Sequence, residues 1–324
     1  MKIIAMEEAF TVPAMTSRGI VMSQQQKFRE SALADMVRRL PDFTELRLRD
    51  MDEHGVDMQV LSLTNNQGLE LQPDPAIAVS DAKLANDVLA EAVRANPTRF
   101  AGLAVLPLQD PAAAVRELDR VVNQLGLSGV LTNGHTLGHY LDEPRFHPVW
   151  EALAGHDVPL YLHPGAASIE WPVLEGRPEL LGPTYAWAAE TGGHALRLIT
   201  SGLFDTFPTA KVILGHMGEL LPFHLSRLDT RLPYVDTDVK LAKKPSEYFT
   251  DNFWITTSGV MAHSALLGAI LSIGLDNIMF AVDYPYESTT QAVDFLTSAP
   301  LSPADLEKVA HGNAEQLLRL TQPA

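Results

Sequence analysis

Short apolar runs recur along the chain and alternate with longer stretches in which Ala, Leu and Val fall at helical spacing. This alternation indicates βα units around a parallel sheet. Eight such units are the number of a (β/α)8 barrel, so we predict an α/β fold of the TIM-barrel type, with residues 1–324 as one domain. The predicted strands are Ile3–Met6, Met58–Leu61, Ala101–Val105, Gly129–Leu131, Leu160–Leu162, Val212–Leu214, Trp254–Thr256 and Ile278–Val282.

Several of the intervening stretches are predicted to be helices. Asp110 is a suitable N-cap, because Pro111 follows it at the first helical position. The predicted helices are Asp81–Ala95, Pro111–Leu125, Glu190–Ser201, Pro303–Ala310 and Asn313–Leu320.

Two stretches are too long or too irregular for a minimal barrel. Residues 11–49 form a polar and partly helical insertion after the first strand, and residues 168–183 are rich in Pro and Gly. Each follows a strand that ends in a candidate functional residue. Insertions at that end of a barrel lie over its mouth, so we expect both to cover the site as a lid.

The bulk composition narrows the function. A net charge of −16 argues against nucleic acid or an anionic membrane as partner, since both require basic patches. The absence of cysteine leaves nitrogen and oxygen atoms as metal ligands. No apolar stretch approaches the ~20 residues of a membrane span, and the early acidic residues do not fit a signal peptide. We therefore expect a cytoplasmic protein.

The chemistry-bearing residues stand directly after four apolar runs. Glu7, His163, His216 and Asp283 each follow such a run. Because the carboxyl ends of barrel strands converge on one mouth, these residues are expected to lie together although they are far apart in sequence. Two carboxylates and two imidazoles at strand ends predict a metal-dependent enzyme.

The local sequence adds detail at three of these positions. Glu7 and Glu8 are adjacent, so only one of them can face the barrel centre, and periodicity does not choose between them. The Pro-Gly after His163 forces a turn that leaves the imidazole at the strand tip. Glu219 follows His216 by three residues, which in a helical turn brings both side chains to one face. A carboxylate on an imidazole raises its basicity, which suits a general base.

Other residues are weaker candidates for a role in the site. Asn133 follows the fourth strand and is a candidate for substrate binding, with a simple turn as the alternative. Arg227, eleven residues after His216, is a candidate to bind a substrate carboxylate, with a surface ion pair as the alternative. His194 lies in an apolar helix and is interpreted as a core residue.

The chain resembles the metal-dependent aromatic acid decarboxylases of the amidohydrolase superfamily, namely the γ-resorcylate, 2,3-dihydroxybenzoate and salicylate decarboxylases, and more distantly the aminocarboxymuconate semialdehyde decarboxylases. The matching segments run nearly end to end: Glu7-Glu8-Ala9-Phe10, Ala85-Asn86-Asp87, Leu106-Pro107-Leu108-Gln109-Asp110-Pro111, Tyr161-Leu162-His163-Pro164, Ser201-Gly202-Leu203-Phe204-Asp205, Ile213-Leu214-Gly215-His216-Met217-Gly218-Glu219, Thr256-Thr257-Ser258-Gly259 and Val282-Asp283-Tyr284-Pro285-Tyr286-Glu287.

The resemblance implies the roles of individual residues. Glu7 would be the metal ligand of the acidic pair, with His163 and Asp283 completing the set. Ala9 stands where the γ-resorcylate type has a His ligand, and the 2,3-dihydroxybenzoate and salicylate types resemble this chain in having that Ala. A site of two carboxylates and one imidazole favours Mg²⁺ or Mn²⁺, with Zn²⁺ as a third choice.

The resemblance also implies a reaction. Asp283 would protonate the ring of an ortho-hydroxybenzoic acid, and His216 with Glu219 would take the phenol proton. The products are CO₂ and a phenol, and the reverse carboxylation is open. A homodimer or homotetramer is implied as well. The alternatives are a metal-dependent hydrolase or hydratase acting on a lactone-type substrate, and a non-catalytic ligand-binding barrel.

Overall fold

Eight parallel strands follow one another around a single sheet, each hydrogen-bonded to the next in sequence order. A computed structural model describes residues 1–19, 30–165 and 171–320. Two backbone bonds, from Met6 N to Phe280 O and from Ala9 N to Tyr284 O, join the first strand to the segment that directly follows the last one. The TIM-barrel prediction is therefore confirmed. The strands are β1 Ile4–Phe10, β2 Met58–Leu63, β3 Phe100–Ala104, β4 Gly129–Asn133, β5 Leu160–His163, β6 Val212–Leu214, β7 Phe253–Thr256 and β8 Ile278–Met279.

Helices occupy the connections between the strands. The α-helices are α1 Glu30–Arg39, α2 Glu45–His54, α3 Pro75–Ala95, α4 Pro111–Arg120, α5 His147–His156, α6 Ala186–Thr200, α7 Leu203–Thr206, α8 His216–Glu219, α9 Leu225–Arg231, α10 Pro245–Asn252, α11 His263–Ile273, α12 Thr289–Thr297, α13 Pro303–Glu307 and α14 Asn313–Leu318. Asp110 caps α4 as expected, because its carboxylate accepts the backbone N–H groups of Ala112 and Ala113.

All eight predicted strands are present, but their ends differ. The predicted strand Ile278–Val282 was too long, since β8 ends at Met279. Beyond Met279 the backbone bonds to side chains in place of a strand: Ala281 N donates to Thr257 Oγ1 at 3.1 Å and Val282 N donates to Glu8 Oε1 at 3.0 Å. A run of apolar residues fits a strand and a segment held by side chains equally well, so the sequence does not show where β8 ends.

The core has two parts, one inside the barrel and one between the strands and the helices, because successive side chains of each strand point to opposite sides of the sheet. On β1, Ile4 and Met6 point into the barrel, whereas Ala5 packs outward against the helices. Tyr161 of β5 is also buried inside the barrel. Toward the mouth the interior becomes polar, and it is there that the strand ends place Glu7 and Thr256.

The two predicted insertions reach the mouth where they are described. Met36 of α1 and Pro183 of the second insertion line a cavity there. Residues 20–29 of the first insertion and 168–170 of the second lie outside the described residues. No helix in the described part of the chain is both long and apolar enough to cross a membrane.

Candidate active site

Glu7 faces the barrel mouth because β1 is irregular at this point. The register between β1 and β2 shifts between Ala5 and Glu8, and Glu7 has a φ of 69°. A non-glycine residue at positive φ is uncommon and costs of the order of 1 kcal/mol or more. Both members of the acidic pair are buried, Glu7 at 1% exposure and Glu8 at 0%. They are therefore not surface carboxylates, and they point to different places.

Hydroxyl groups hold one oxygen of Glu7 and leave the other without a partner. Thr256 Oγ1 donates to Glu7 Oε2 at 3.0 Å, and Ser258 Oγ donates to the same atom. Tyr161 Oη lies 3.0 Å from Thr256 Oγ1 and extends the network. Glu7 Oε1 is buried and has no hydrogen-bond partner. Gly215 makes room for it, since a Cβ there would lie 2.6 Å from Glu7 Oε1.

His163 ends β5 with one ring nitrogen engaged and the other facing the site. Nδ1 donates to the carbonyl of Pro164 at 3.0 Å, so Nε2 carries the lone pair. That Nε2 lies 3.5 Å from Glu7 Oε1. Burial lowers the pKa of His163 to about 4. A neutral imidazole with a free lone pair toward a buried carboxylate is in the state that a metal ligand requires.

His216 and Glu219 meet as expected, although the backbone that joins them is not the regular helix that was predicted. His216, Met217, Gly218 and Glu219 all have positive φ values, between 48° and 82°. This left-handed turn brings His216 Nδ1 to 2.8 Å from Glu219 Oε1. His216 N also donates to Ser258 Oγ at 3.0 Å, so the turn is tied to the Glu7 network.

His216 Nε2 points to the two other carboxylates of the site. It lies 3.7 Å from Glu7 Oε1 and 3.9 Å from Asp283 Oδ2. Burial by itself would lower the pKa of His216, but the negative charges of Glu7 and Glu219 outweigh it and raise that pKa well above its ordinary value. Burial raises the pKa of Glu219.

Asp283 follows β8 and also adopts a left-handed conformation, with φ 73°. Burial raises the pKa of its carboxyl group to about 7, and the charge of Glu7 acts in the same direction. The neighbouring Glu8 is bonded to the backbone on both sides of Asp283, to Val282 N and to Tyr284 N at 3.0 Å each. Burial raises the pKa of Glu8 to about 8.

These groups stand at the floor of a cavity of about 280 Å³. The volume suits a single small ring. His163, His216, Glu219 and Asp283 line it together with apolar and amide side chains from the mouth loops. Those neighbours include Met36, Asn65, Pro183, Trp187, Val260 and Tyr286.

The chemistry of the donors fits one divalent cation. Three carboxylates, the buried Glu7 and Glu219 and the partly buried Asp283, surround His216, and the unpartnered Glu7 Oε1 faces His163 Nε2. Adjacent ligands of one Mg²⁺ ion stand about 3 Å apart, so the 3.5 Å between Glu7 and His163 is close to a shared ion. Within residues 1–19, 30–165 and 171–320, no three His, Asp or Glu side chains already stand at metal-site distances.

Two predicted substrate-binding residues lie elsewhere. Asn133 is buried and its N–H and side-chain amide both donate to Glu70 Oε1, at 2.8 and 2.9 Å. Arg227 is exposed on α9. Neither is among the described residues that line the cavity, so their roles stay predictions. His194 is buried as expected, and its Nε2 accepts the N–H of Leu141.

Sequence reasoning missed the supports of the site. The side chain of Glu7 is surrounded by Tyr161, Gly215, Thr256 and Ser258. The backbone on either side of Asp283 is bonded to Glu8. Thr256 and Ser258 could have been predicted, because they are polar residues at the end of an apolar run, which is the pattern that identified Asp283 as a candidate. Nothing in the sequence marked the bulge that separates Glu7 from Glu8.

The fold and site define a class: a parallel β/α barrel whose mouth holds a carboxylate–imidazole cluster suited to a single cation. The chain belongs to the amidohydrolase family (Amidohydro_2), which matches residues 12–320. It is 41% identical to the γ-resorcylate decarboxylase of Polaromonas sp. (strain JS666), over 98% of this chain and 99% of the relative.

Two solved structures extend the comparison. The dihydroxybenzoic acid decarboxylase from Polaromonas sp. JS666, with bound manganese and the inhibitor 2-nitroresorcinol, superposes with a TM-score of 0.89 at 40% identity, covering 99% of this chain and 98% of that one. The 5-carboxyvanillate decarboxylase LigW from Sphingomonas paucimobilis gives a TM-score of 0.90 at 41% identity, covering 99% of both chains. The resemblance to aromatic acid decarboxylases is confirmed.

Proposed function

We propose that this protein is a divalent-metal-dependent, non-oxidative decarboxylase of an ortho-hydroxybenzoic acid. The observation that carries the proposal is the convergence of His163, His216 and Asp283 on one small cavity, with Glu7 Oε1 within 3.7 Å of both imidazoles. The γ-resorcylate and 5-carboxyvanillate of the named relatives each carry a carboxylate beside a phenol oxygen. The 41% identity over nearly the whole of both chains supports the same reaction here.

Glu7, His163 and Asp283 would hold the cation, which supplies Lewis acidity that orients the substrate oxygens and lowers the pKa of a phenol. Mg²⁺ and Mn²⁺ suit this oxygen-rich donor set best, and the manganese in the related Polaromonas structure supports that choice. The other contribution of the cation is charge balance, because an anionic substrate would otherwise enter a cavity that is already surrounded by carboxylates.

The order of bond changes follows from the substrate. Direct loss of CO₂ would leave an aryl anion, so a proton must reach the carboxyl-bearing ring carbon first. Asp283 is assigned to deliver that proton. The ortho oxygen supplies the electron pair that forms the new C–H bond, and the electrons of the breaking C–C bond then return to the ring as CO₂ departs.

His216 and Glu219 are assigned to accept the phenol proton. The charge of Glu7 raises the pKa of His216 in the metal-free site, and a cation held by Glu7 would cancel that charge and lower the pKa again, so that the imidazole could accept a proton. His216 Nε2 faces the cavity, and the 2.8 Å contact between Nδ1 and Glu219 stabilises the imidazolium that results. His216 Nε2 and Asp283 Oδ2 are 3.9 Å apart, so a proton taken from the substrate needs only a small closure to reach the acid. Asp283 would thereby receive from the substrate itself the proton that it delivers to the ring.

The experiment couples metal analysis of the purified protein to a spectrophotometric screen of salicylate and of 2,3-, 2,4- and 2,6-dihydroxybenzoate with Mg²⁺, Mn²⁺ or Zn²⁺. Loss of one acid with formation of the matching phenol supports the proposal and names the ring. Bound metal with cleavage of a lactone and no CO₂ would instead assign the chain to the hydrolases. Absence of metal would remove the central premise.

The assembly is proposed to be a homodimer or homotetramer. Leu220, Phe223, Leu267 and Leu271 are apolar and exposed, and Phe223 packs over Gly268 of α11, so this apolar surface lies beside the cavity that Leu220 also lines. Exposed apolar clusters of this kind favour protein–protein contact. Light scattering of the purified protein tests this, and a monomer at micromolar concentration would refute it.

A further inference from the structure

Glu8 is the member of the acidic pair that has no part in the reaction described above. Its side chain is fully buried. Its Oε1 accepts Val282 N and its Oε2 accepts Tyr284 N, each at 3.0 Å. The two amides are those on either side of Asp283, so the carboxylate grips the backbone that carries the proposed acid.

The two hydrogen bonds to Glu8 replace backbone hydrogen bonds that are absent between β1 and the segment after β8. The backbone bonds between β1 and the segment that follows β8 are Met6 N to Phe280 O and Ala9 N to Tyr284 O. Between them β1 carries the Glu7 bulge, and Asp283 is left-handed. The amides of Val282 and Tyr284 face this gap, and a buried amide without an acceptor costs about 1–3 kcal/mol. The carboxylate of Glu8 accepts both.

Arg47 of α2 reinforces the same junction. It is fully buried, and its Nη2 donates to Ala9 O at 2.6 Å. Its guanidinium lies 4.6 Å from the centre of the Tyr284 ring. It therefore contacts both the strand that carries Glu8 and the segment that Glu8 holds. Its positive charge, like the two amides, opposes the increase in the pKa of Glu8 that burial causes.

We infer that Glu8 is a positioning residue, which fixes the direction of the Asp283 carboxyl group by holding the backbone amides on both sides of it. The inference rests on the role proposed for Asp283. A left-handed residue is free to relax to an extended conformation unless its neighbours are held, and relaxation would turn Asp283 away from the cavity. Glu8 opposes that relaxation without touching substrate.

The first test needs no variant and no substrate. Amide hydrogen exchange, followed by NMR on the unaltered protein, compares Val282 and Tyr284 with Met6 and Ala9, whose amides have backbone acceptors. Comparable protection supports the grip. Exchange of Val282 and Tyr284 at the rate of open loops would overturn it, whatever the protein catalyses.

The second test is Glu8→Gln, which keeps the shape but presents an NH₂ group to one of the two amides. We expect faster exchange at Val282 and Tyr284 and a decrease in kcat of about tenfold or more at saturating Mn²⁺, with KM changed much less. Unchanged kcat in a variant with faster exchange would overturn the positioning role.

Glu117→Gln is the matched control. Glu117 is buried on α4 and accepts from Asn86 and Arg120, away from the Asp283 segment. It should lower the melting temperature yet leave both the exchange at Val282 and Tyr284 and kcat unchanged. Equal losses of kcat in the two variants would reduce the role of Glu8 to general stability and overturn the inference. Asp283→Asn, assayed alongside, tests the proposed function separately.

Discussion

Gly215→Ala tests whether the space beside Glu7 is a requirement of the site. Gly215 has φ −73° and ψ −173°, which is extended backbone that alanine adopts without strain. The added Cβ would lie 2.6 Å from Glu7 Oε1, 3.0 Å from Oε2 and 3.1 Å from Tyr161 Oη. The substitution therefore acts on the Glu7 carboxylate through one methyl group and leaves the fold of the turn intact.

The size of the effect follows from those distances. Unstrained contact begins at about 3.5 Å, so Glu7 Oε1 must withdraw by roughly 0.9 Å. Its Oε2 is held by Thr256 and Ser258, so the carboxylate cannot move without breaking those bonds. A misplacement of about 1 Å costs roughly 100-fold in rate, and loss of a support costs about 10–100-fold in metal affinity. Overpacking should cost about 1–3 kcal/mol of stability.

The assay is calorimetric titration of the metal-free protein with Mn²⁺, followed by CO₂ release at saturating metal. Gly155→Ala is the control, because Gly155 lies in α5 and an added Cβ meets nothing within 4 Å. It should bind Mn²⁺ and turn over like the unaltered protein. If Gly215→Ala bound Mn²⁺ with unchanged affinity, the idea that Glu7 is held in a fixed place would be refuted.

Asp283→Asn should abolish turnover while the circular dichroism spectrum stays native, and measurable CO₂ release would remove Asp283 as the acid. His216→Ala should reduce kcat by about 10²–10⁴-fold and leave Mn²⁺ bound, since it belongs to the proposed base and not to the ligand set; near-full activity would contradict the assignment. Mn²⁺ must displace the proton that Asp283 holds with a pKa of about 7, so the apparent affinity should rise from pH 6 to pH 7 and level off above it. Titrations in buffers of different ionisation enthalpy measure that proton, and an affinity that falls with rising pH would contradict the sign. Removal of the metal by a chelator should abolish turnover reversibly, which activity before and after addition of Mn²⁺ measures.

The parts of the fold that repeat were predictable from the sequence. The strands are short apolar runs, so the order of the barrel and the position of His163 at the end of β5 followed from the sequence pattern, whereas Asp283 lies beyond the end of β8. The contact between His216 and Glu219 was also expected from their spacing. It forms through a left-handed turn in which His216, Met217, Gly218 and Glu219 all have positive φ, a path that helical periodicity does not describe.

The supports of the site were not predictable, because they depend on contacts between distant strands. Glu7 and Glu8 are neighbours with identical side chains, and what separates their roles is a bulge in β1. The early end of β8 has the same origin, since Thr257 and Glu8 take over bonds that a strand would have made. The pattern of apolar residues predicts which residues are buried, whereas these features depend on which atoms of a neighbouring strand lie within hydrogen-bond distance.

The seam between the first and last strands has a consequence for biosynthesis. Glu7 and Asp283 lie at opposite ends of the run of eight strands, so Asp283 is synthesised long after Glu7. A nascent chain therefore carries an incomplete set of the proposed ligands while the intervening strands are made, and it gains the full set only when the ring of strands closes. Metal binding should then follow closure of the barrel, and a bound ion would stabilise the junction between β1 and the segment after β8, which forms last.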